Sequence, residues 1–183
     1  MKVLKMKSYK LKNQQILIIR EAKKEDTSAY VGYLLQIGTE TDFLTFGAGE
    51  MITSQHEQEL MIESSTEADN RLLLLALVDN KIVGGVNFRG GVRPRVHHAG
   101  EVGITVLKEY WGLGIATELL MYLINWAKGS GIIRKINLRV RMDNHRAIDL
   151  YTRLGFVKEG FTTREFLIDS VFYDSVCMGL VIN

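Results

Sequence analysis

Apolar positions along the chain fall into three kinds of run: short unbroken stretches, stretches alternating with polar residues, and stretches spaced at three and four. Ile16, Leu17, Ile18 and Ile19 predict a first strand over residues 15–20, and residues 24–36 then read as a helix that closes before Gly38. Residues 39–50, rich in Gly, Thr and Asp, predict a loop. Ser54 and Glu57 fit a capping box that opens a helix reaching about Ser65. Two apolar runs, 71–78 and 82–88, are separated by Asp79, Asn80 and Lys81 and predict a β-hairpin. In residues 97–106, Val102, Ile104 and Val106 alternate with Glu101, Gly103 and Thr105, which gives a strand two distinct faces.

From Gly112 the period changes. Ala116, Leu119, Leu120, Leu123 and Ala127 sit at helical spacing and mark the buried face of a helix ending near Lys128 and Gly129. Residues 136–140 read as a strand and 144–154 as a helix with Gly155 in the C′ position. Residues 156–161 and 171–181 complete the chain as two strands, with Ile168 and Asp169 near their turn. The expectation is a mixed α/β domain spanning 1–183, with about seven strands and about four helices. Its central part follows a strand–helix crossover order and its two ends favour antiparallel pairing.

Composition narrows the class. A chain of 183 residues with 46% hydrophobic and 24% charged residues lies in the ordinary globular range, and a single Pro leaves little room for an extended linker. The formal net charge of +2 is too small to predict a nucleic-acid surface, although Lys2, Lys5, Lys7, Lys10 and Lys12 make the start basic. Glu50, Glu57, Glu59, Glu63, Glu67 and Asp69 make a later stretch acidic. The lone Cys177 cannot form an intramolecular disulfide, and no Cys and His spacing resembles a zinc site, so no metal is expected. No apolar run approaches a membrane span and no leader pattern is evident, which points to a cytoplasmic protein without a membrane partner.

The most informative stretch is 106–117, VLKEYWGLGIAT, which joins a predicted strand to a helix through Gly112 and Gly114. Glycine permits positive φ and removes the Cβ atoms that would keep an anion from the backbone. The first N–H groups of a helix have no internal partner and carry partial positive charge, so the turn suits a pyrophosphate. It is neither a Walker loop, lacking Gly-Lys-Ser/Thr, nor a dinucleotide fingerprint, lacking the third glycine. A tight connection with no ligand would use the same glycines.

At this turn the sequence resembles the GNAT N-acetyltransferase superfamily. That superfamily carries Arg/Gln-x-x-Gly-x-Gly/Ala here, and Trp111, Gly112, Leu113, Gly114, Ile115 and Ala116 occupy the motif. Trp111 departs from the usual Arg or Gln and resembles a Tyr-Trp-Gly branch. A second hallmark, Asn-x-x-Ala-x-x-Leu-Tyr-x-x-Leu-Gly-Phe, is matched by Asn144, Ala147, Leu150, Tyr151, Leu154, Gly155 and Phe156. The resemblance implies a largely antiparallel mixed sheet splayed between its fourth and fifth strands, with acetyl-CoA as co-substrate. The pantetheine arm would bond the backbone around Ile104 and Val106 like an added strand, and the diphosphate would meet the amides from Trp111 to Thr117.

The resemblance also implies roles for side chains. Tyr151 corresponds to a tyrosine that donates a proton to the departing CoA sulfur, as a phenol of pKa about 10 can. Its bland alternative is an amphipathic core tyrosine. Glu101 is the best-matched carboxylate for taking the proton of the attacking amine, with His97 and His98 as further acceptors; alternatively it is a surface carboxylate paired with Arg89, Arg93 or Arg95. Asn144 both caps its helix and is placed to bond the cofactor. The expected reaction is direct transfer of acetyl to a primary amine in a ternary complex, with a small amine ranked before the N-terminus of a protein or peptide. A non-catalytic acetyl-CoA sensor is the alternative from another class, and pairing of the final strands would make a homodimer.

Overall fold

The computed structural model describes residues 6–51 and 53–183; Lys2 and Lys5 of the basic start lie outside the described residues. Eight strands are described: β1 (Lys7–Lys10), β2 (Ile16–Glu21), β3 (Arg71–Val78), β4 (Lys81–Gly90), β5 (Ala99–Val106), β6 (Lys135–Arg141), β7 (Val157–Ile168) and β8 (Val171–Val181). They form one sheet in the order β1-β2-β3-β4-β5-β6-β8-β7. The α-helices are α1 (Thr27–Ile37), α2 (Gln55–Glu67), α3 (Ile115–Ser130) and α4 (His145–Arg153). All neighbouring strands are antiparallel except β5 and β6.

The expected count of about seven strands is corrected to eight. The additional one, β1, has the sequence KSYK and is mostly exposed, so it carries no apolar signal; it forms by pairing with β2 at the sheet edge. β7 is also longer than its apolar start implied, because residues 162–168 continue the ladder past irregular register against β8. The two hairpin turns are short. Asp79 and Asn80 have φ of 49° and 62°, and Asp169 and Ser170 have 49° and 65°, the consecutive positive angles of a turn that matches strand twist.

The sheet is covered on both faces, which explains the unbroken apolar run in β3. Leu72, Leu74, Ala76 and Val78 join a core with Leu119, Leu123, Tyr151 and Phe156 from the α3 and α4 side. Leu73, Leu75 and Leu77 join a second core with Tyr30, Tyr33, Ile37 and Ile62 from the α1 and α2 side. The capping box of α2 is present: Glu57 N–H donates to Ser54 Oγ at 3.1 Å and Ser54 N–H donates to Glu57 Oε2 at 2.7 Å.

Candidate active site

β5 pairs with β4 from Gly100 opposite Gly90 to Val106 opposite Gly84. Against β6 it pairs at three positions, Ala99 with Lys135, Gly100 with Ile136 and Glu101 with Asn137. Beyond Glu101 the strands part: β6 continues along β8, and β5 has no strand partner on that side among the described residues. The splay expected between the fourth and fifth strands is therefore between β5 and β6 once β1 is counted. Ile104 and Val106 are half-buried against the α3 core, while Thr105 faces the other side, where Tyr33 Oη donates to its Oγ1 at 2.7 Å.

The turn between β5 and α3 lies at the end of this opening. Gly112 and Gly114 have φ of 82° and 91°, a region that disfavours any side chain. A Cβ on Gly114 would meet nothing within 4 Å, and one on Gly112 only the Arg146 guanidinium at 3.9 Å. Trp111 N–H donates to Lys108 O at 3.1 Å, and the next backbone bond of the segment runs from Glu118 N–H to Gly114 O at 3.1 Å. The amides of Gly112, Leu113, Gly114, Ile115, Ala116 and Thr117 thus precede the first bond of a 16-residue helix, at its positive end. The expected run of free amides starts one residue later than Trp111.

Trp111 also spends its side chain locally. Its indole Nε1–H donates to Val106 O at 2.6 Å, bracing the turn against the end of β5. The Arg146 guanidinium stacks over the indole at 5.4 Å from the ring centroid. α4 is thereby seated with its N-terminus against the glycine turn. Asn144 caps it, with Oδ1 accepting from Ala147 N–H at 3.2 Å, and Tyr151 follows on the same helix face as Ala147.

Tyr151 is buried beside Phe156, with ring centroids 5.8 Å apart, and desolvation pushes its phenol up to about 12. Glu101 is half-exposed and does not pair with Arg89, Arg93 or Arg95. Its partner is Arg139 on β6, at 3.0 Å from Nε and 2.9 Å from an Nη, and the same guanidinium also pairs with Glu165 of β7. One cation is thus shared by two carboxylates. His97 is held between Asp69 (Nε2 to Oδ1, 3.1 Å) and the Asn70 amide (3.0 Å from Nδ1), which fits a structural bond.

On the Glu101 side of the sheet, the loop after α1 comes against the β7–β8 hairpin. Arg141 is buried and fixes this loop: it donates to Asp42 O at 2.9 Å and grips Asp143 at 2.9 and 2.5 Å. Its guanidinium lies between the rings of Phe43 (4.7 Å) and Tyr173 (3.9 Å). Behind this clamp is a cavity of about 300 Å³ whose walls include Asp42, Phe46, Glu50, Glu165 and Phe166. No group of three or more metal-ligating side chains is found among the described residues.

Sequence reasoning missed Arg139, Arg141 and Arg146. Arg146 stands two residues after Asn144, close enough to have drawn attention as a cation beside a phosphate turn. Arg139 and Arg141 alternate in β6 with apolar Leu138 and Val140, which marks only a polar face.

Residues 23–156 match the Acetyltransferase (GNAT) family. A solved acetyltransferase of the GNAT family from Streptococcus pneumoniae is 36% identical, with a TM-score of 0.88 over 91% of this chain and 99% of that one. The L-amino acid N-acetyltransferase AaaT of Escherichia coli is 30% identical over 112 residues, 59% of this chain and 67% of that protein. The spermidine N(1)-acetyltransferase of Vibrio cholerae is 32% identical over 79 residues, 43% of this chain and 46% of that protein. The chain therefore spans about half to two thirds of these curated relatives. With two family motifs seated at the strand opening and the family match covering most of the length, the chain belongs to the acetyltransferase (GNAT) family.

Proposed function

We propose that the protein transfers an acetyl group from acetyl-CoA to a small primary amine by direct attack within a ternary complex. The observation that carries this reading is the run of uncommitted amides from Gly112 to Thr117 at the end of the β5–β6 opening. The amides and the α3 dipole suit the diphosphate, Arg146 adds a cation beside Gly112, and the unpaired side of β5 suits an extended amide-bearing arm near Ile104. Val106 O already accepts from Trp111, so at that residue the amide N–H is the simpler contact for the arm.

In the transfer, the amine nitrogen bonds to the acetyl carbon as the carbon–sulfur bond breaks. A backbone N–H of β5 near Ile104 polarises the carbonyl. Tyr151 donates its proton to the leaving thiolate, and Glu101, directly or through water, takes a proton from the amine. The Arg139 guanidinium orients the carboxylate of Glu101. The amino acid and spermidine acetyltransferases among the relatives support a small amine as acceptor. No helix among the described residues is long and apolar enough to cross a membrane, in keeping with action on a dissolved substrate.

The test is a titration of acetyl-CoA followed calorimetrically. The wild type should bind, and Gly114→Asp should weaken binding by at least tenfold, because charge and bulk would oppose the phosphates at a backbone that tolerates neither. Equal affinity of the two proteins would show that this turn is not the phosphate site.

A further inference from the structure

Resting on the transferase reading above, we infer that the acceptor is an α-amino acid with an apolar side chain, its carboxylate read by Arg89 and Arg71 and its ammonium by Glu101. The three residues stand in one row across the sheet: Arg71 on β3 is opposite Arg89 on β4, which is opposite Glu101 on β5. Directly opposed residues share a face, as do alternate residues of one strand. Thr105, four positions after Glu101, bonds Tyr33 of α1, so the row lies on the α1 and α2 side.

The row is out of balance as it stands. Like charges directly opposite one another on neighbouring strands destabilise a sheet, and Arg71 and Arg89 are so placed. Arg71 donates to Ser64 Oγ at 2.8 Å, whereas no carboxylate of the described residues lies within ion-pair distance of Arg89. Glu101, directly opposite, turns to Arg139 instead. Both of those contacts fall on Glu101 Oε1, which leaves Oε2 for an incoming ammonium.

The two arginines also line a cavity of about 380 Å³ with Leu60, Met61, Ser64 and Ser65 of α2, a volume at the lower end of the range for small-ligand sites. No acidic side chain is among its walls, so the only charge there is positive and the rest is apolar or hydroxyl. A carboxylate suits the guanidinium forks, and Leu60 and Met61 offer apolar surface to a side chain beside it. Burial pushes the Tyr30 phenol up to about 12 while the Arg89 charge pulls it down, so the guanidinium is felt on the α1 side as well.

The opposed pair of Arg89 and Glu101 sets the amine over the reacting strand. Neighbouring strands are about 4.8 Å apart, so the two side chains can close on the opposite charges of one zwitterion. A Cβ on Gly103 would meet nothing within 4 Å, which leaves the face of β5 open between Glu101 and Thr105, beside Ile104. A polyamine brought to the same row would meet two guanidinium groups and be repelled. After transfer, the N-acetyl amino acid has lost the positive charge that Glu101 held, which favours its release.

The test uses the full chain with saturating acetyl-CoA and reads thiol release with leucine, leucinamide, n-butylamine, spermidine and a peptide beginning with alanine. Leucine should exceed leucinamide in kcat/KM by at least about tenfold, since removing the carboxylate gives up a charge-assisted contact. Leucinamide has the less basic amine and would be the faster substrate if the carboxylate were ignored. Arg89→Gln should bring the leucine-to-leucinamide ratio down towards one, Arg71→Gln should lower it in part, and Arg89→Lys should restore some of it, each with the KM for acetyl-CoA unchanged. Calorimetric titration of leucine into the CoA-bound protein should show the same losses without relying on turnover. Preference for spermidine, leucinamide or the peptide, no binding of leucine, or a ratio untouched by Arg89→Gln and Arg71→Gln would overturn the amino acid assignment and leave the transferase reading standing. Absence of acetyl-CoA binding would overturn both.

Discussion

Tyr151 is buried in the α3 and α4 core, and in the proposed mechanism, where it is the proton donor, that burial has a chemical use. An alkyl amine becomes neutral near pH 10, where an ordinary phenol would itself be losing its proton. Desolvation moves Tyr151 up to about 12, so the donor keeps its proton through the range in which the nucleophile becomes free. The wild-type kcat should therefore rise with pH and show no falling limb up to about pH 10. Tyr151→Phe should bind acetyl-CoA normally and slow transfer by about ten- to ten-thousand-fold, measured in single turnovers. Unchanged turnover would reduce Tyr151 to a core side chain packed near Phe156. Residues of this kind were legible because their signal is local: Gly112, Gly114, Asn144 and Tyr151 each lie in a motif a dozen residues long. Arg139 was not, since its partners Glu101 and Glu165 are 38 and 26 residues away and alternation shows only which face it occupies.

At the level of elements, the loop of residues 39–51 depends on one side chain from β6. Arg141 combines a charged fork on Asp143, a bond to the Asp42 carbonyl and two aromatic faces, and Lys could reproduce only the charge. Arg141→Gln should destabilise the protein by about 2–4 kcal/mol in urea unfolding and speed amide exchange in residues 39–51. Exchange unchanged in that loop would mean that other contacts hold it, such as Glu40 accepting from Lys108 N–H. The hairpins, the α2 capping box and the α3 helix were readable from their own residues. β1 was hidden because an exposed edge strand needs no apolar pattern, and the acid-lined cavity because its two walls come from segments more than 100 residues apart.

For the whole molecule, the buried tyrosines set an alkaline limit. Tyr30 and Tyr151 are both pushed up to about 12 by burial, and Tyr33 is raised as well. A phenol titrating higher in the folded state than in the unfolded one stabilises the fold below pH 10, and that contribution is lost as pH rises from 10 through 12. The loss is up to about 1.4 kcal/mol per tyrosine for each pH unit in that window. The urea midpoint should accordingly hold between pH 8 and about 9.5 and drop between 10 and 11; a constant midpoint would mean that these hydroxyls reach water.

The meeting of β5 and β6 at only three residue pairs has a mechanical consequence too. It divides the sheet into a five-strand panel and a three-strand panel joined along a short seam, with Arg139 stitching across it to Glu101. Under the proposed reading, an acyl donor lying along the unzipped length would extend the ladder of β5 across the gap, so that its loading and the stiffening of the scaffold would be a single event.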